Sequence, residues 1–151
     1  MYPNQHLILG ILFSFILFVN FPQIGFIGFS FIFLSSFLID VDHYMLYVYK
    51  KHNLSLRNAY KWFVEHMKRR LALPKPNRSD YKYEILIFHG IEFWIILFLL
   101  TYTHFYFWYV FIGVMFHMLL DGIALVYWGF PLYTKLSITY LWLRDRNKPS
   151  F

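Results

Sequence analysis

No cysteine occurs among the 151 residues, which excludes disulfides, thiolate metal sites and cysteine nucleophiles and leaves His and carboxylates as the metal-holding side chains. Charge is scarce too: Lys, Arg, Asp and Glu make up 15% of the chain, against roughly 25% in an ordinary soluble domain. There is no internal repeat, no phosphate-binding glycine loop and no Gly-x-Ser-x-Gly elbow, so neither nucleotide-dependent chemistry nor an α/β-hydrolase is indicated. What abounds is apolar surface. With 59% hydrophobic and 25% aromatic residues, too few polar side chains remain to cover a globule in water, and lipid is the solvent this surface suits. The first 21 residues lack a basic leader and a small-residue cleavage site, and read as retained in the mature protein.

Apolar stretches predict an all-α integral membrane protein, a four-helix bundle made of two transmembrane hairpins with spans at about 5–21, 22–41, 84–102 and 105–127. All fourteen basic residues fall in two places: a basic loop at 44–83, from Lys50 to Lys82, and the segment 129–151, with Lys135, Arg144, Arg146 and Lys148. The hairpin tips carry none, so the positive-inside rule puts both termini and the loop in the cytoplasm. The net charge of +6 is therefore one-sided, and fits anionic lipid of the inner leaflet better than nucleic acid. Within the loop, Ser55 can cap an amphipathic helix in which Leu56, Ala59, Tyr60, Phe63, Met67 and Leu71 recur opposite Arg57, Lys61, Glu65 and Lys68. That helix is expected on the membrane surface. The segment 129–151 is expected to be interfacial or re-entrant.

Ionisable residues inside membrane spans are costly and usually face one another across a bundle. Here His6, Asp40, Asp42, His43, His89, Glu92, His117 and Asp121 lie in or at the edge of the spans. Counted from the outer ends at about 1.5 Å per residue, His6, Asp40, His89, His117 and Asp121 fall in one slab under about 10 Å thick. Independent structural polar residues have no reason to share a depth. His117 and Asp121 are four apart and His89 and Glu92 three apart, so each pair projects from one helical face. Gly10 and Gly113, one turn from His6 and His117, permit close helix approach. His52, His66 and His104 read as surface residues.

The ordered set resembles the YdjM-type family of inner-membrane metal-dependent hydrolases, through His6 to Gly10 (HLILG), Asp40 to His43 (DVDH), Phe88-His89-Gly90 and His117 to Asp121 (HMLLD). Ile39 stands where the family commonly has Pro, and the third motif keeps one His of the family's pair. The resemblance covers about residues 5–122 and implies a metal-dependent hydrolase. On that reading His6, Asp40, His89, His117 and Asp121 are metal ligands, and Asp42 is either a further ligand or a carboxylate that orients a histidine. His43 and Glu92 are candidate catalytic proton carriers. The ligand set suits a divalent metal, Zn²⁺ first, with Mn²⁺ or Fe²⁺ as alternatives. An amphiphilic phosphoester substrate is expected from a site beside a basic membrane surface. Two other readings use the same residues: a metal-ion or proton carrier, and a non-catalytic membrane scaffold.

Overall fold

The computed structural model of the chain describes residues 2–149, and every regular element among them is helical. Helix α1 (Pro3–Asn20) turns through a 3-10 segment at Pro22–Ile24 into α2 (Gly25–Leu38). The long helix α6 (Tyr106–Trp128) ends at Gly129, whose φ of 71° is the left-handed conformation that closes a helix most cheaply without a Cβ. Each of these helices is built inside out. On α1 the buried stripe is His6, Gly10 and Ser14, while Ile8, Leu12, Phe15 and Val19 stand exposed. On α2 it is Gly28, Ile32 and Ser36; on α6 it includes Gly113, His117, Asp121 and Ala124. Small and polar side chains face the neighbours and large apolar ones face outward, the distribution expected when helices are packed against one another in lipid.

The small residues set the packing. Helix α2 lies along both α1 and α6, and α1 also meets α6. A Cβ on Gly10 would overlap the Ser36 side chain, and one on Gly113 would overlap the Ile32 carbonyl and Ser35. Further from the basic residues, Phe13 and Phe116 stack at 3.9 Å and seal the α1–α6 contact.

Three helical stretches are long and apolar enough to cross a membrane: α1, the run Pro22–Lys51 and α6. The third expected span differs. Of residues 84–102, only α5 (Ile91–Leu100) is α-helical, ten residues long, preceded by a 3-10 turn at Ile87–His89. The cause is tertiary: the Asp42 carboxylate accepts from both the Phe88 N–H (3.1 Å) and His89 Nδ1 (2.9 Å), which holds the backbone open where a helix was expected.

The region 44–83 is also more ordered than a loop. The run continues past a turn at Ile39–Asp40 as α3 (Val41–Lys51), and α4 (Leu56–Ala72) follows, capped as expected by Ser55, whose hydroxyl accepts from the Asn58 N–H. Ala59, Phe63, Met67 and Leu71 turn toward the protein and Arg57, Lys61, Glu65 and Lys68 outward, but Leu56 and Tyr60 are exposed and Arg70 is buried.

The chain closes this end with Arg78 and α7 (Ile138–Asp145). Arg78 donates to the carbonyls of Leu73 (3.0 Å), Leu71 (2.8 Å) and Trp128, clamping the end of α4 to the end of α6. Asp145 accepts from the Tyr83 N–H (2.9 Å) and pairs with Arg144 and Lys148.

Candidate metal centre

The turn at Ile39–Asp40 is tightened by bonds from the Asp40 N–H to the Phe37 carbonyl and from the His43 N–H to the Asp40 carbonyl. It aims Asp40 and His43 to one side, where they stand 3.5 Å apart, and leaves Asp42 on the next face to hold His89. Helix α6 supplies His117 and Asp121, α1 supplies His6, and the open backbone before α5 supplies His89. His6, His89, His117 and Asp121 are each no more than 1% exposed.

The imidazole orientations follow from what lies behind each ring. His117 Nδ1 is 2.8 Å from the Ser36 carbonyl oxygen, which only accepts, so Nδ1 carries the proton. His89 Nδ1 donates in the same way to Asp42. In the neutral rings both Nε2 atoms then hold lone pairs, yet they face each other at 3.2 Å. Around them stand Asp40 Oδ1, 3.5 Å from each Nε2, and Asp121 Oδ2, 3.6 Å from His89 and 3.5 Å from His117. Each carboxylate oxygen thus completes a triangle on the His89–His117 edge. Ligands at about 2.0–2.2 Å from a tetrahedral Zn²⁺ stand about 3.3–3.6 Å apart, the size of either triangle.

Three overlapping sets of these residues can hold a metal ion: His6, Asp40 and His117; Asp40, His43 and His89; and His89, His117 and Asp121. His6 stacks on His117 at 3.9 Å and approaches Asp121 Oδ1 at 3.1 Å, and its Nδ1 is buried without a hydrogen-bond partner. Asp42, for which the sequence left two roles open, sits behind His89 as its orienting carboxylate. His43 lies at the margin, 3.5 Å from Asp40 and edge-on to Phe63.

Glu92 is the residue the structure takes away from the site. Its carboxylate accepts from the Ser137 hydroxyl (2.7 Å) and from the backbone N–H groups of Ile138 and Thr139 (3.1 Å each). It caps the start of α7, because the last helix returns to the foot of α5, and belongs to none of the groups that could hold a metal ion. His52 and His104 are exposed as expected, but His66 is half-buried, stacked on Trp62 at 5.3 Å. Burial and the neighbouring Arg70 push its imidazole down to about 4, so it accepts from Arg70 Nε (3.3 Å) as a neutral ring.

Lys135 is the residue that sequence reasoning assigned only to topology. Its ammonium pairs with Asp121 Oδ2. One signal pointed to it: between Asp121 and Arg144 it is the sole charged residue in the sequence. Among the described residues, the carboxylates of Asp40, Asp42 and Asp121 and the Lys135 ammonium are the formal charges gathered at the centre when the imidazoles are neutral.

The centre opens into a cavity of about 460 Å³ roofed by α4. Asp40, His43, Asp121 and Lys135 lie on its wall, and most of the remainder is apolar, including Phe63 and Trp128. Set against protein-family models, curated proteins and solved structures, the chain matches none.

Proposed function

We propose that the chain is an integral membrane hydrolase dependent on a divalent metal, of the YdjM type, acting on a phosphoester of an amphiphilic or lipid substrate. One observation carries the reading. Two lone pairs fixed face to face at 3.2 Å and ringed by carboxylates repel one another unless a cation stands among them. A proton on one ring relieves one contact; a divalent ion held by these side chains would relieve all of them.

His89, His117, Asp121 and Asp40 would hold the ion, with Zn²⁺ the first candidate and Mn²⁺ or Fe²⁺ the alternatives. Such an ion supplies Lewis acidity, which acidifies water and polarises a phosphoryl oxygen. His43, at the cavity edge with its Nδ1 unpartnered, is placed to take up and pass on a proton. Asp42 keeps His89 in the tautomer that presents Nε2. In this reading α5 joins α1, α2 and α6 as the fourth member of the bundle. Both termini and α4 lie on the cytoplasmic side, because the outer turns at Pro22–Gly25 and Tyr102–His104 hold no Lys or Arg.

A scaffold is the second reading, favoured by the His6–Asp121 and His117–Ser36 contacts that tie α1, α2 and α6 together. Metal analysis of detergent-purified protein separates the two. About one or two metal ions per chain, absent from a helical His117→Ala/Asp121→Ala variant, support the hydrolase; a metal-free wild type after reconstitution leaves the scaffold.

A further inference from the structure

We propose that Lys135 and the cavity beneath α4 form a binding site for an amphiphile with an anionic phosphate-like head and an aliphatic chain, the head held by Lys135 beside the His/Asp centre. The inference rests on the hydrolase reading for the chemistry of the head, and on the cavity itself for the rest.

The head is argued from charge. Of the Lys and Arg side chains described in the cavity wall, Arg70 is engaged by its neighbours: it donates to His66 Nε2 and to the Lys82 carbonyl (2.5 Å) and lies 4.4 Å over the Tyr83 ring. Lys135 meets Asp121, a carboxylate that a metal ion would share. An ammonium has three donors, of which Lys135 gives one to Asp121, so an oxyanion in the cavity can take another. The place where an anion can touch both the lysine and that metal ion lies in the cavity, since Lys135 and Asp121 are on its wall. Lys135 is 16% exposed, enough to reach a ligand there.

The chain is argued from size and from the mouth. A volume of about 460 Å³ lies within the range of about 300–1,000 Å³ for small-molecule pockets and is over ten times the share of about 30 Å³ that one water takes in the liquid. A bare phosphate leaves most of it empty. Leu38, Val41, Leu56 and Tyr60 line the cavity and are also exposed, at 48, 41, 70 and 47%. The mouth between the α2–α3 turn and α4 is therefore rimmed by apolar side chains, an opening suited to entry from lipid. Tyr44, Phe63, Met67, Leu125 and Trp128 continue that character inward.

The test uses full-length protein in detergent loaded with Zn²⁺, with metal content measured on every sample. Binding of dodecylphosphonate, of dodecanol and of methylphosphonate is read from tryptophan fluorescence, Trp128 being in the cavity wall. Wild type is expected to bind dodecylphosphonate at least about ten-fold more tightly than either comparison ligand. Lys135→Met should lose the preference for phosphonate over alcohol, with dodecanol affinity and metal content unchanged, and Lys135→Arg should keep most of it. Ala59→Phe, which fills the cavity from α4, should weaken both dodecyl ligands together. Retained phosphonate preference in Lys135→Met, or loss of metal from that variant, overturns the role of Lys135. Methylphosphonate binding as tightly as its dodecyl analogue overturns the chain and points to free phosphate. If wild type binds no metal yet holds dodecylphosphonate through Lys135, the amphiphile site stands and the hydrolase reading falls.

Discussion

Two polar regions lie within this small protein, and they are organised in opposite ways. Around Arg78 and Asp145 each charge meets an opposite charge or a backbone group: three carbonyls take the guanidinium, and a backbone N–H and two cations satisfy the carboxylate. Around His89 and His117 like meets like. Two ring nitrogens face each other among carboxylates, while His6 Nδ1, His43 Nδ1 and Asp42 Oδ1 are buried without hydrogen-bond partners. The first pattern is that of a joint and the second that of groups that could take up a cation, since buried polar atoms left unmatched are costly to a fold.

Removing a charge should therefore act differently in the two places. The largest effect is expected from Asp40→Asn, which takes a carboxylate from three imidazoles at once. Zn²⁺ affinity should fall by about 100-fold or more, while the metal-free protein melts no lower than wild type; a lower metal-free melting temperature with metal binding intact would erase the contrast. Arg78→Ala is the converse. It leaves carbonyls of Leu71, Leu73 and Trp128 without their donor, and thermal unfolding should show a loss of about 2–4 kcal/mol with metal stoichiometry unchanged.

The smallest effect concerns His66, in the cavity wall between the two regions. Its folded-state pKa of about 4 lies below the ordinary value near 6.5. Protons therefore bind the unfolded chain more readily, and stability present above pH 6.5 is lost as the pH falls from about 6.5 toward about 4. Melting temperatures across that window should flatten in His66→Gln, and an unchanged slope would show that other groups set it.

The convergence of His6, Asp40, His89, His117 and Asp121 was legible from residue depth, because all five sit on or directly beside helical segments where counting residues measures distance. His89 lies just beyond the start of α5, where Asp42 holds the backbone open, so the count from the outer end ran through α5 and left the helix only at its last step. The same open backbone explains Glu92. A three-residue spacing from His89 implied a shared helical face, but α5 begins only at Ile91, and the face is lost. Lys135 and the half-buried His66 depended on how the last 20 residues and α4 fold back over the helices, which no local pattern in the sequence encodes. The outward apolar faces of α1, α2 and α6 were legible in composition alone.

The shortness of α5 has a consequence for the surrounding lipid. Ten residues rise about 15 Å, half of a hydrocarbon core of about 30 Å, beside α6 with 23 residues. If α5 lies in the bilayer beside α6 as proposed, the lipid meeting so uneven a flank has to dimple on the short side. In the proposed arrangement, head groups drawn into that dimple would descend toward the level of His89, at the foot of α5.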